Sequence, residues 1–265
     1  MSHRRSAVPP GPLRVALVVA AAVLAGAIAF LVTVNRTEVA GNKPLPSHPP
    51  VVRVVAPSPT ASLDDIARAL LSRTATIEAL GSNDEGLGTG WLLDSKGDFV
   101  TNAHVVQGQL AVRIRGRDGS SHVGDVLGID RDLDIAVIRS RDGFTGAPLP
   151  TFTGSLSDFP VAVVAIASGH ATGHGDITDE SVTRIEGDVP VTGDTTTGQP
   201  PTTTDYHDML VLDGQSIYPG NSGGPVLDHR GRVVGIVTLA SKSAPEGYAI
   251  QLNRVLSELM SFAAR

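Results

Sequence analysis

The longest pattern in the chain is an uninterrupted apolar run from Val15 to Val34, preceded by Arg4, Arg5 and Arg14. At a rise of 1.5 Å per residue such a run spans roughly 30 Å, the thickness of a bilayer core. Basic residues ahead of it predict a cytoplasmic N-terminus (1–14) and an exported C-terminal portion. A cleaved signal peptide is the alternative, but its apolar core is about 7–15 residues with small residues after it. Here Ala25-Gly26-Ala27 lie inside the run. The expectation is therefore a retained transmembrane signal anchor over 15–34, which would tie the protein to a membrane. Pro44, Pro46, Pro49, Pro50, Pro57 and Pro59 then stiffen a segment with little to bury, which predicts an extended linker over 35–61.

From residue 62 the pattern changes to short alternating segments. Ser62 and Asp65 have the spacing of a capping box and predict a short opening helix. Strands are expected at 74–80, 88–94, 99–102, 110–115, 123–129, 135–139 and 161–167. More follow at 181–185, 209–213, 225–227, 233–239 and 248–252. Short strands with Gly-containing turns argue for an all-β sandwich or barrel. The chain closes with a predicted helix, capped by Asn253, with Val255, Leu256, Leu259, Met260 and Ala263 on one face. Gly187–Tyr206, rich in Thr, Gly, Asp and Pro, reads as a surface loop, with a substrate-gating role as the sharper alternative.

Composition narrows the function. The 29 glycines and 18 prolines, with aromatics at 4%, suit strands and turns rather than a helical bundle. A net charge of −6 without a basic stripe argues against a nucleic-acid partner. The absence of cysteine excludes a cysteine protease, a thiol redox enzyme and a thiolate metal site. His170, His174 and His207 have no recognisable metal spacing, so neither a metal nor a cofactor is expected.

Three segments carry candidate chemistry. In Pro219-Gly220-Asn221-Ser222-Gly223-Gly224-Pro225 the glycines permit a tight turn that exposes a serine hydroxyl. They also let the N–H groups of Gly220 and Ser222 converge on one point. A serine needs both a base and such donors to act as a nucleophile. Thr101-Asn102-Ala103-His104-Val105-Val106 supplies a histidine at the end of an apolar strand. Arg131-Asp132-Leu133-Asp134-Ile135-Ala136 supplies a carboxylate before another, where it could accept an imidazole N–H. Asp130 and Asp132 rival Asp134, and spacing does not separate them.

The order His, Asp, Ser is that of chymotrypsin-type triads on two β-barrels. With Gly88-Thr89-Gly90-Trp91, Asp134-Ile135-Ala136-Val137, Val234-Gly235-Ile236 and Gly247-Tyr248-Ala249-Ile250, these segments resemble the HtrA/Deg family of trypsin-like envelope proteases over about residues 62–263. The resemblance implies the two-barrel chymotrypsin-like fold and a serine endopeptidase domain over 62–265. It selects Asp134 and implies a triad of His104, Asp134 and Ser222, with Gly220, Asn221 and Ser222 as the oxyanion turn. Thr238 would support the aspartate. Ser216, Ile217, Thr238, Leu239 and Ala240 would contact substrate, with small or medium aliphatic side chains at P1. Asn221 stands where zymogens of the digestive type use an aspartate, so control through loop ordering is expected. A PDZ module after the terminal helix is not expected, and the family's trimer is not assumed. Protein or peptide substrates are the expected partners. A catalytically silent scaffold or chaperone on the same fold is the alternative function.

Overall fold

The computed structural model describes residues 61–80, 88–168, 177–192, 203–213, 217–241 and 244–265. The expected anchor, residues 35–60 of the linker, His170, His174 and Ser216 lie outside the described residues. Among the described residues no helix is long and apolar enough to cross a membrane.

Successive residues of a strand point to opposite faces, and here the two faces feed different cores. Strands β1 (Thr74–Ala79), β2 (Gly88–Leu92), β3 (Asp98–Thr101), β4 (Ala111–Gly116), β5 (Ser121–Asp130) and β6 (Ile135–Ser140) close into an antiparallel barrel in the order β1-β2-β3-β6-β5-β4. Along β6, Ala136 and Ile138 join the core that also holds Ile77, Phe99 and Ile114, inside this barrel. Ile135 and Val137 join a second core with residues from the rest of the chain.

β7 (Val161–Ile166), β8 (Ile177–Thr192), β9 (Thr203–Asp213), β10 (Pro225–Leu227), β11 (Val233–Ala240) and β12 (Glu246–Gln251) close the other barrel, in the order β10-β11-β12-β9-β8-β7. Val163, Ala165, Leu210, Val226 and Val237 fill its interior. Their neighbours Val164, Ile166, Met209, Leu227 and Ile236 meet Trp91, Val100 and Val137 in the shared seam. Burial on both faces explains the continuous apolar runs of β7 and β11.

Two helices cover the seam. In α1 (Leu63–Leu70) the capping box is present, with Asp65 N donating to Ser62 Oγ at 3.1 Å and Ser62 N to Asp65 Oδ2 at 3.3 Å. Helix α2 (Leu252–Ala263) differs from expectation at both its cap and its face. Its N-cap is Gln251, without a side-chain cap, because β12 runs into the helix with no intervening loop. Asn253 lies inside the helix and donates from Nδ2 to Ser155 Oγ at 3.1 Å.

The buried face of α2 is Leu252, Val255, Leu259, Phe262 and Ala263, while Met260 is half-exposed and Leu256 partly buried. Phe262 inserts against Gly128 of β5, where any Cβ would collide with the ring. At the other end Ala263 O accepts from Lys96 Nζ and Arg139 Nη2, both at 2.8 Å, which places cations at the negative end of the helix. Arg139 also forks onto the fully buried carboxylate of Asp98, at 2.7 and 2.8 Å.

The expected loop over 187–206 is corrected for its described part. Asp188 pairs with His207, Val189 with Tyr206, Pro190 with Asp205 and Val191 with Thr204, extending the β8–β9 hairpin. Threonine and valine favour extended backbone, and Val189 is buried while Val191 packs on the seam core. The polar composition reflects the hairpin's solvent face, not a missing strand.

Glu180 of β8 pairs with Val163 and therefore points with it into the second barrel, where it is 5% exposed. Neither carboxyl oxygen has a hydrogen-bond partner. Burial, then the charges of Asp213 and Asp179, push its pKa from 4.5 up to about 7. The folded protein thus holds a proton that the unfolded chain releases. The associated stability is fully present below about 4.5 and lost as pH rises through about 7. Glu180→Gln should raise the melting temperature at pH 8, by on the order of 5 °C, and flatten its change between pH 5 and 8. Thermal unfolding at the two pH values is the measurement; equal slopes in both proteins would contradict the assignment.

Candidate active site

The first barrel supplies a histidine and an aspartate. Strand β3 ends at Thr101, and the turn after it carries Asn102 and His104. Asp134 stands immediately before β6 in the left-handed region, with φ 52°. Aspartate tolerates that conformation better than most residues. Asn102 Nδ2 donates to Asp134 O at 2.8 Å and holds the bend.

The Asp134 side chain is buried, and its oxygens are met from several directions. His104 Nδ1 lies 3.0 Å from Oδ1 and 2.9 Å from Oδ2, and the His104 backbone N–H donates to Oδ1 at 3.1 Å. Thr238 of β11 donates from Oγ1 to Oδ2 at 2.5 Å, and Tyr206 of β9 lies 3.4 Å from the same oxygen. The His104 side chain is 43% exposed, so the ring edge away from Asp134 is open to solvent. The rivals lie elsewhere. Asp130 Oδ1 accepts the N–H groups of Asp132 and Leu133 at 2.9 Å each, closing its own turn, and Asp132 is exposed.

The second barrel supplies the serine. Asn221 N donates to Tyr218 O at 3.0 Å, and Gly220 has φ 96°. Pro219 and a positive-φ glycine in the central positions match a type II turn. Among the described residues the N–H groups of Gly220 and Ser222 have no partner, as an anion-binding pair requires. Asn221 is buried and accepts from Tyr218 N at 3.3 Å, which ties its side chain into the turn. Ser222 Oγ donates to Thr238 O at 3.3 Å. No hydrogen bond joins Ser222 Oγ and His104 among the described residues. Bonds of this kind in ligand-free sites are often long and tighten only with substrate bound.

Thr89 of β2 fastens the turn across the seam. Its N–H donates to Ser222 O at 2.8 Å, and its hydroxyl donates to Gly220 O at 2.8 Å. The same hydroxyl accepts from Ser168 N at 2.9 Å. Ser168 Oγ in turn pairs with Thr76 Oγ1, and Thr101 Oγ1 donates to Thr89 O at 2.8 Å. Gly223, at φ 84°, fits only as glycine, since a Cβ would collide with Thr89 O and Thr101 Oγ1.

Of the expected substrate contacts, Thr238 is buried on Asp134, Leu239 is half-buried and Ala240 is exposed. Ile217 is buried in the second barrel, with Cγ1 2.6 Å from where a Cβ on Gly247 would sit. β11 pairs with β12 through Leu239 and Ala240, while its pairing to β10 stops at Ile236. Among the described residues no strand covers the other edge of residues 238–240. His207 Nδ1 meets Asp188 Oδ1 at 2.7 Å. The described residues contain no cluster suited to a metal. Sequence reasoning missed Asn102, Thr89 and Tyr206 as parts of the site. The first two lie inside the motifs around Gly88 and His104, whereas Tyr206 lies in a segment of loop-like composition.

Two closed barrels, with a histidine–aspartate pair on one and a serine turn on the other, define the chymotrypsin-like architecture. Comparison with known proteins agrees. The trypsin-like peptidase domain matches residues 88–236. Putative serine protease HhoA of Synechocystis is 34% identical over 68% of this chain and 43% of its own length. Serine protease PepD of Mycobacterium tuberculosis is 30% identical over 96% of this chain and 61% of its own. The chain thus spans less than two thirds of the curated relatives it matches. The Rv3671c protease, solved in an inactive form, aligns with a TM-score of 0.57 at 24% identity, over 78% of this chain and 98% of that one; this likeness concerns the fold. The chain belongs to the trypsin-like peptidase family and is of the HtrA type.

Thr89→Val should leave Gly220 O and Ser168 N buried without their partner, costing about 2–4 kcal/mol of stability. Urea unfolding monitors this. An unchanged midpoint would remove Thr89 from the account of the turn.

Proposed function

We propose that the protein is a serine endopeptidase of the cell envelope that hydrolyses peptide bonds in unfolded or partner proteins. The observation that carries this reading is the His104–Asp134 pair, with Nδ1 2.9 Å from Oδ2, beside Ser222 in a chain of the trypsin-like family. His104 Nε2 takes the Ser222 proton as Oγ attacks the scissile carbonyl carbon. Asp134 holds the ring in the tautomer with hydrogen on Nδ1 and stabilises the imidazolium that forms. The Gly220 and Ser222 N–H groups receive the negative charge that develops on the carbonyl oxygen. His104 then passes its proton to the leaving amine, which departs and leaves an acyl-enzyme. Water, deprotonated by His104, attacks the ester and regenerates Ser222. Before the first step Ser222 Oγ must turn from Thr238 O toward His104.

Substrate would bind as an extended strand along residues 238–240, with main-chain hydrogen bonds supplying affinity. The apolar character of Ile217 and Ala240 supports small or medium aliphatic P1 residues. Exchange of such side chains by one methylene alters selection by only about 1–3 kcal/mol, so preference is broad. The apolar run over 15–34 and the basic residues before it support a single-pass anchor with the protease domain outside the cytoplasm. The bond between Ser222 Oγ and Thr238 O is the one observation that favours a silent scaffold instead.

The test is cleavage of casein by the full chain beside Ser222→Ala. Loss of the nucleophile is expected to lower turnover by about 10⁶-fold. Cleavage that persists in the variant, or failure of both proteins to cleave and of a fluorophosphonate to label Ser222, would reject the protease reading.

A further inference from the structure

Asp134 accepts from its own barrel through His104, and from the other barrel through Thr238. Tyr206 adds a third source. It sits on β9 opposite Val189, in the half of the hairpin farther from Asp213, and its hydroxyl lies 3.4 Å from Asp134 Oδ2. We propose that Tyr206 is a positioning residue of the triad, whose hydroxyl donates to Asp134 Oδ2 and ties the orientation of that carboxylate to the docking of the β8–β9 hairpin. This inference rests on the protease reading above.

The hairpin is fastened near Tyr206 on the side of α2. Gln251 Nε2 donates to Asp208 O at 2.6 Å, and Arg254 pairs with the Asp208 carboxylate. Tyr206 packs on the seam core and forms part of the wall of a cavity of about 120 Å³, with Leu133, Met209, Ile250 and Val255. The charged and titratable groups around that cavity are Asp132, His207 and Arg254. Burial, then the Asp134 charge, pushes the Tyr206 hydroxyl well above its ordinary range, so it remains a protonated donor.

A donor on Oδ2 has two effects on the triad. It holds the carboxylate plane so that Nδ1 stays in line. It also draws off part of the negative charge that would otherwise serve the imidazolium. Removing it should therefore misalign the pair and, at the same time, favour the protonated form of the base.

The experiment compares the full chain with Tyr206→Phe, which keeps the ring in the cavity wall. The expected kcat is lower by about threefold to tenfold at unchanged KM. The acid limb of the kcat/KM profile should move to higher pH. The low-field proton resonance of His104 Nδ1–H should shift as well. A kcat, acid limb and resonance that all coincide with wild type would overturn the proposal. So would a loss of activity that follows lower melting temperature alone, with the resonance unmoved. If the wild-type chain has no Ser222-dependent cleavage, the protease reading falls. The resonance then decides Tyr206 by itself, since it reports the contact without turnover.

Discussion

The site depends on keeping one charge, that of Asp134, out of water. A buried carboxylate is strongly unfavourable unless its lone pairs are met by donors. Here those donors come from both barrels, two from His104 and one each from Thr238 and Tyr206. Neither barrel alone can satisfy the carboxylate, so the docking of the barrels and the geometry of the pair are the same requirement. The left-handed backbone at Asp134, held by Asn102, belongs to that arrangement. It turns the carboxylate away from solvent at the start of β6.

A second set of bonds runs the opposite way across the seam. Thr89, from the first barrel, holds the carbonyls of Gly220 and Ser222 in the second. Both carbonyls are thereby held from the first barrel, while Asn221 N closes the turn onto Tyr218 O. Thr76, Ser168 and Thr101 complete the chain of hydroxyls. Each is buried and each finds a partner, as a low-dielectric interior demands. The close packing leaves no room for a side chain at Gly223. The serine turn is thus shaped by the barrel that carries the histidine, and the histidine's carboxylate by the barrel that carries the serine.

The long β8–β9 hairpin lies beside this arrangement and reaches it through Tyr206. Its ladder continues through residues whose composition is that of a loop. A strand whose outer face meets water needs only its inner positions to be apolar, and Val189 and Val191 suffice. Composition averages over both faces and conceals that alternation. The C-terminal helix misled in a related way. Residues at spacings of three and four fall on two adjoining stripes, and the partner surface chose the one containing Phe262, because Gly128 leaves space for a ring.

What the sequence determined by itself was local and periodic. The capping box at Ser62, most strands, and the glycines around Ser222 follow from backbone chemistry that acts within a few residues. The motifs around His104, Asp134 and Ser222 also carry the resemblance to the family and its two-barrel fold. Tertiary structure decided what depends on residues distant in the chain. It gave Asp134, which the family resemblance selects and spacing does not, hydrogen bonds to His104 that Asp130 and Asp132 lack. It also brought Thr89 to Gly220 and Tyr206 to Asp134, across 131 and 72 residues. Such contacts leave no periodic trace in a sequence, because they are set by how two closed barrels pack, and not by where either residue lies along its own strand.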